Sequence, residues 1–482
     1  MRAFLIAGTA LALALAGCTV GPNYSRPEMP LPASYAKPVA AAAGEVDVAR
    51  WWTAFGDPRL SGLVERALAD NPTIQIAASR VRQARLQEIV ARAAGRPQVN
   101  LGANLTHVEF SRNAGFASLA RQFQGNQNTG GGLALPGTGI TTYALGFDSS
   151  WELDLFGGVR RQREAATARA EAAEWSARDA GITLAAEIAD AYFALRLDQA
   201  QIALIEQQIA GHQRQIEIAQ NQARAGVTPS IDAIRARGNL TQAQARIEPL
   251  RADAELRMHA LGVLTGQPPE ALIGELQAPG AALGAPPAVP AGLPADLLRR
   301  RPDIRAAERR LAAATADIGV QVAQLYPRVS LTGTAQLLSA GLSNLISGDS
   351  FQGLGQGAVS FPLLDWGRRR ANVKIAREAG EQAYGDYKAT VLQALRDVED
   401  PLSRLDAERR RNATLRQALA DAERSRAAVD ARFRAGLIAQ DAVIAADVQR
   451  LQAAEQVAAS DALLRQATAA LFKAVGGGWA TS

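Results

Sequence analysis

Histidines, cysteines and paired carboxylates are the groups through which a chain of this kind would do covalent or metal chemistry, and here they are sparse or badly spaced for it. His107, His212 and His259 stand far apart with no cysteine beside them, so the clustered donors of a zinc site are missing. Gly137-Thr138-Gly139 lacks the Gly-Lys-Ser/Thr of a phosphate-cradling loop, and no Ser-His-Asp order stands out as a nucleophile with its base. The residues give no reason to expect an enzyme, a cofactor or a metal. What remains is a set of carboxylates of one strand parity, Asp148, Glu152 and Asp154, alternating with apolar side chains. The chemistry open to them is electrostatic: biasing ions in water at the wet face of a strand.

That strand is the element on which the carboxylates depend. Tyr143, Leu145, Phe147, Trp151, Leu153 and Leu155 fall at every second position, with Ser149 the one polar member, while Gly146, Asp148, Ser150, Glu152 and Asp154 fill the alternate places. About a dozen residues suffice to cross a bilayer at a tilt. Carboxylates do not line a dry core, so the polar face is predicted to look into a water-filled lumen and the apolar face, with Leu145 and Phe147, onto lipid. After Phe156-Gly157-Gly158 the period changes from two to seven, with Ile188, Leu195, Ile202, Ile209 and Ile216 in heptads. The predicted helix, about 159–225, would be roughly 100 Å long. A membrane-type strand feeding such a helix points to a channel continued by a helical tube.

The chain is duplicated. Pro72-Thr73-Ile74 corresponds to Pro302-Asp303-Ile304 and Pro97 to Pro327 at an offset of 230, whereas Gly157 and Gly367, the two Arg-Ala-Gly turns ending at Gly226 and Gly436, and Gly266 and Gly476 share an offset of 210. The change falls in the Gly-, Asn- and Gln-rich segment near 113–139, which therefore reads as a loop between two strands. Repeat 1 spans 57–266, with strands at about 97–112 and 141–156. Repeat 2 spans 295–476, with strands at about 327–341 and 351–364. Between them 267–294 is a Pro-rich linker of low helix content, and 477–482 is a tail. Further helices are expected from Asp57-Pro58 through Asn71 to about residue 94, and over about 229–264, 295–324, 368–434 and 441–475; Pro249 and Pro401 should kink or break theirs. In the second long helix Val391, Val398, Leu405 and Leu419 keep the heptad, interrupted by Asn412. Four strands cannot close a membrane barrel, so several chains would have to share one. Phe156, Tyr326 and Trp366, where strands meet helices, fit an aromatic girdle.

The N-terminus reads as an export signal over 1–17: Met1-Arg2 is basic, Ala3 to Ala14 apolar, and Leu15-Ala16-Gly17 precedes Cys18, the only cysteine. Leu-Ala-Gly-Cys resembles a bacterial lipoprotein signal, which would make Cys18 the lipid attachment site. Thr19 stands where inner-membrane retention in many such lipoproteins would need Asp, which favours the outer membrane. Residues 18–56 form an extended Pro- and Ala-rich arm ending near Trp51-Trp52, whose rings are expected to pack inside the protein. The net charge of +5 and the 48% hydrophobic composition exclude a disordered chain. No later run is apolar enough for a membrane helix, so any membrane crossing is made by strands.

In sum of order and motif, Cys18 to Pro27 (CTVGPNYSRP), Trp51-Trp52 with Phe55 and Asp57-Pro58, the paired Arg-Ala-Gly turns, Pro327 to Leu331, Asp365-Trp366-Gly367-Arg368 and the closing Gly476-Gly477-Gly478-Trp479 resemble the TolC-like outer-membrane efflux factors, in the lipoprotein branch typified by OprM and NodT. The resemblance covers nearly the whole mature chain. It implies a homotrimer whose protomers each give four strands to a twelve-stranded membrane β-barrel and helices to a long periplasmic α-barrel, with an equatorial domain around it. It also implies an exit duct for small molecules such as drugs, working with a periplasmic adaptor and an inner-membrane pump of the RND type, anchored in outer-membrane lipid. Nucleic acid has no place in that reading. A protein-secretion channel or a nonconducting envelope tether are the alternatives, and the tether leaves the four amphipathic strands unexplained.

Carried over position by position, the resemblance places a periplasmic gate at the Arg-Ala-Gly turns: Asp232 after the first, and Phe433, Arg434 and Asp441 at the second. Phe433 stands where the family often has tyrosine, and Ala445 where many members carry the pore acid, so Asp441 or Asp447 would take over that role. Asp232 also sits where any acid favours a helix dipole.

Overall fold

The computed structural model describes residues 19–37, 47–109, 139–226, 229, 231–280, 282–289 and 300–477. The chain divides into two compact units, one from the described parts of 1–25, 84–169 and 311–382 and the other from those of 26–83, 170–310 and 383–482. In order, the main elements are α1 (Pro58–Asp70), α2 (Pro72–Ala93), β1 (Gln98–Glu109), β2 (Gly139–Leu153), α3 (Gly158–Arg224), α4 (Ile231–Leu264), α5 (Pro302–Ala323), β3 (Arg328–Ser339), β4 (Phe351–Ser360), α6 (Arg368–Arg434) and α7 (Gln440–Ala474).

The first unit holds one antiparallel sheet in the order β1-β2-β3-β4. Its register puts like with like. Leu145 lies opposite Ala103 and Leu337, and Leu337 opposite Phe351, so one face carries an apolar row across the sheet. One residue along, Gly146 lies between Gly102 and Gln336, and Gln336 opposite Gln352, on the polar face. Gly146 is required there: a Cβ would come within 2.3 Å of Gln336 Cα. The apolar face has no cover among the described residues of the protomer, where Leu101, Leu105, Phe147 and Phe351 are 66%, 67%, 55% and 65% exposed. Both outer strands, β1 and β4, have a free edge among the described residues.

Beneath the sheet, the arm after Cys18 is locked in place. Arg161 is buried and donates to Val20 O at 3.2 Å, Gly21 O at 3.4 Å and Asn23 Oδ1 at 2.6 Å, while Val20 N–H donates to Phe156 O. Gly21 (φ 89°) lies against Gly319, where an added Cβ would approach the Gly319 Cα within 2.6 Å, and Gly157 (φ 77°) likewise leaves no room beside Thr19. Phe156 stacks on Tyr326 at 4.7 Å. Trp366 does not join them: it is 91% exposed, at a positive φ of 55°.

In the second unit Trp51 is fully buried, stacked on Phe472 at 5.5 Å, and Phe55 packs on Phe193, so the double Trp is a core element. The helix expected to run from Asp57 through Asn71 is broken into α1 and α2. The Asn71-Pro72 step is the cause: the proline holds Asn71 extended at ψ 128°, where its Oδ1 accepts from Thr73 N–H to cap α2 and its Nδ2 donates to Leu264 O. The linker is more helical than its prolines suggest, with short turns at Pro269–Leu272 and Ile273–Leu276 that bury Leu272 and Leu276. Neither Pro249 nor Pro401 ends its helix: α4 and α6 run through them. A proline removes one donor, which a helix of 34 or 67 residues held by tertiary packing tolerates. No described helix is long and apolar enough to cross a membrane.

Candidate functional site

Two places collect the residues singled out in the sequence. The first is the polar face of the sheet. Asp148 is exposed on β2 and accepts a hydrogen bond from Asn100 Nδ2 at 3.0 Å; Glu152, also exposed, lies 4.0 Å from Arg328 Nε. Asp154 belongs elsewhere. The strand ends at Leu153, and the Asp154 carboxylate accepts from the N–H groups of Val159 and Arg160 at 3.1 and 2.8 Å, capping α3. Its parity fits the polar face, but free helix amides and the positive end of the dipole hold it at the junction. In the second repeat Asp365 does the same for α6, accepting from Gly367 and Arg369 N–H, and those bonds hold its carboxyl below the usual carboxylate range.

The second place is the pair of helix turns. Each long helix ends in a left-handed glycine, Gly226 at φ 71° and Gly436 at φ 72°, whose N–H donates to Ala223 O and Phe433 O respectively. Leu437 N–H adds a bond to Arg432 O at the second turn. Asp232 lies in the first turn of α4, 3.7 Å from Arg235, and Arg434 pairs with Asp430 one helical turn back at 2.7 Å. Phe433 is half-buried and offers no hydroxyl. The two candidate acids of α7 differ. Asp447 is engaged within the protomer, accepting from Arg426 Nε of α6 at 3.2 Å and Arg450 Nε at 3.4 Å, whereas Asp441 is exposed and has no partner among the described residues. Cys18 lies outside the described residues.

Sequence reasoning missed Arg161, Gly146 and the polar contacts of Asn412. Asn412 had left a signal, as the one break in an otherwise apolar heptad. Its Nδ2 donates to Ser460 Oγ at 3.0 Å and Asp461 Oδ1 at 2.8 Å, and Arg416 joins both Asn412 and Asp461. Among the described residues no group of three or more His, Cys, Asp or Glu side chains could hold a metal ion.

A sheet with an uncovered apolar face and a charged polar one, continued by paired long helices, defines a membrane channel subunit. The chain belongs to the outer membrane efflux protein family, whose model matches residues 63–267 and 293–477. It is 30% identical to the outer membrane protein OprJ of Pseudomonas aeruginosa over 99% of this chain and 96% of that protein. It is also 32% identical to nodulation protein T of Rhizobium leguminosarum bv. trifolii, over 83% of this chain and 81% of the relative. Among solved structures the outer-membrane channel OprN superposes with a TM-score of 0.83 at 31% identity, covering 96% of this chain and all of that one.

Proposed function

We propose that this protein is the outer-membrane exit duct of a tripartite efflux system, passing small molecules such as drugs received from an inner-membrane pump of the RND type through a periplasmic adaptor. The observation that carries this reading is the sheet: an apolar face suited to lipid, a polar face bearing Asp148 and Glu152 suited to a lumen, and, among the described residues, an unpaired edge on each side. Three copies joined edge to edge would close it, since an open edge in hydrocarbon leaves backbone groups unsatisfied. Acylated Cys18 would anchor the arm, whose next residues are already held against the base of the sheet by Arg161.

The periplasmic gate is assigned to the turns, with Asp441 as the pore acid, Asp232, Phe433 and Arg434 around it, and Asp447 bracing α6 to α7. In planar bilayers, Asp441→Ala combined with Arg434→Ser should raise single-channel conductance at neutral pH with trimer stability unchanged, because exposed charge pairs contribute little to folding. Wild-type conductance in that variant, with a rise in Asp447→Ala, would move the constriction to Asp447. Drug accumulation in a deletion strain, complemented by the wild-type chain, tests the export role itself.

A further inference from the structure

We propose that a cavity in the helix pair of the first repeat binds a small cationic amphiphile. The offset of 210 that relates Gly157 to Gly367 and Gly266 to Gly476 also relates α3 and α4 to α6 and α7, so each repeat serves as the control for the other. In the second repeat the helix pair is tied across by polar side chains. The Asn412, Ser460, Asp461 and Arg416 contacts knot it together, Ser460 Oγ reaches Glu408, and Leu464, one helical turn after Ser460, is buried at 7% exposure. In the first repeat the corresponding residues are Ile202, Leu250, Arg251 and Glu206, and Ala254 stands in place of Leu464. Ile202 and Leu250 cannot rebuild the knot, and Ala254 lacks the carbons that would fill the gap. A cavity of about 500 Å³ opens there, bounded by α3, α4 and the linker. That is within the range of small-molecule sites, roughly 300–1,000 Å³.

Three features of the cavity specify the ligand. Ile202, Met258 and Ile273 offer an apolar wall, and the unbranched thioether of Met258 adapts to varied shapes. Gln199, 9% exposed, spends its Nε2 on Leu276 O at 2.7 Å and leaves its Oε1 buried without a hydrogen-bond partner. A buried acceptor left unpaired is unfavourable, so a donor that reaches it is held firmly. The charged groups on the lining are Glu206, Glu255 and Arg251, and Arg251 is already shared between Glu206 at 3.4 Å and Glu248 at 2.9 Å. The excess is negative. An alkylammonium answers all three: the ammonium donates to Gln199 Oε1 near the carboxylates, and the chain lies along Ile202 and Met258. None of these residues belongs to the proposed gate or to the polar face of the sheet.

The test uses the full-length protein in lipid nanodiscs, titrated calorimetrically with octylammonium and, as the anion of equal chain length, octanoate, with empty nanodiscs as the blank for partition into lipid. Octylammonium should saturate at one per protomer and octanoate should bind at least about ten-fold more weakly. Gln199→Leu should weaken octylammonium by about ten-fold, the scale of one hydrogen bond to a charged group. Ala254→Leu, which restores the residue of the second repeat, should abolish binding. Single-channel conductance, expected to be unchanged in both variants, shows that they fold and assemble. Equal binding of the two probes, no binding beyond the lipid blank, or full binding by a conducting Ala254→Leu protein would each overturn the proposal.

Discussion

Arg161 is 3% exposed and commits its guanidinium to oxygens of Val20, Gly21 and Asn23, with Glu164 beside it at 2.8 Å. Arg161→Met would leave those acceptors without their donor, a loss of about 2–4 kcal/mol from the docked arm. Limited chymotrypsin digestion should then cut after Tyr24 markedly faster than in the wild type; equal rates would mean the glycine contacts alone hold the arm. A second single residue sets a pH dependence. Burial pushes the Asp198 carboxyl up to about 6, with Arg257 opposing and Asp253 reinforcing the shift. One of its oxygens, Oδ2, has no hydrogen-bond partner. The folded state therefore holds this proton more tightly than the unfolded chain, so its contribution is fully present below about pH 4 and is lost as pH rises through about 6. Asp198→Asn should flatten the pH dependence of thermal stability between those values. Above pH 6 it should raise stability by about 1 kcal/mol, less than the full shift because water screens a partly exposed site.

At the scale of elements, the sheet and the long helices were legible because their signals are periodic: alternation over β2 and heptads from Ile188 to Ile216 survive any local exception. Single polar side chains were not legible, since their roles depend on what the fold brings to them. Pro72 marks the break between the two helices, but the double role of Asn71, capping the second helix through Thr73 N–H and donating to Leu264 O, appears only once the fold brings Leu264 within reach. Asp154 has the parity of a lumen residue but serves the helix that starts beside it. The contrast between Asp441 and Asp447 rests on Arg426, which precedes Asp447 by 21 residues and comes from another helix. Two substitutions probe the elements directly. Gly146→Val should disrupt the β2–β3 register, since its Cβ would meet the Gln336 backbone; loss of the heat-modifiable band on unheated SDS gels would report it. Asn412→Leu should cost about 1–3 kcal/mol by removing a buried amide that donates to Ser460 and Asp461 and accepts from Arg416, read as a lower midpoint of thermal unfolding. An unchanged midpoint would assign the α6–α7 register to apolar packing alone.

For the whole molecule, an apolar face uncovered and two strand edges free among the described residues leave a lone protomer with unsatisfied backbone groups in lipid. Mass measurement in nanodiscs should find three chains per particle, and a conducting monomer would contradict the proposed assembly. The described helices α3 and α6 are each 67 residues long, start directly after the equivalent glycines and stop at the same Arg-Ala-Gly turn. Inserting a single residue into one of them would advance its end by about 1.5 Å and rotate it by about 100° relative to its twin. Such a change could be accommodated only by the same insertion in the other half of the gene. Descent should therefore leave the lengths of these two helices tied to each other while segments whose length already differs between the halves drift freely: a form of inheritance in which the unit of permitted change is a matched pair of mutations some 630 bases apart, three for each residue of the 210-residue offset.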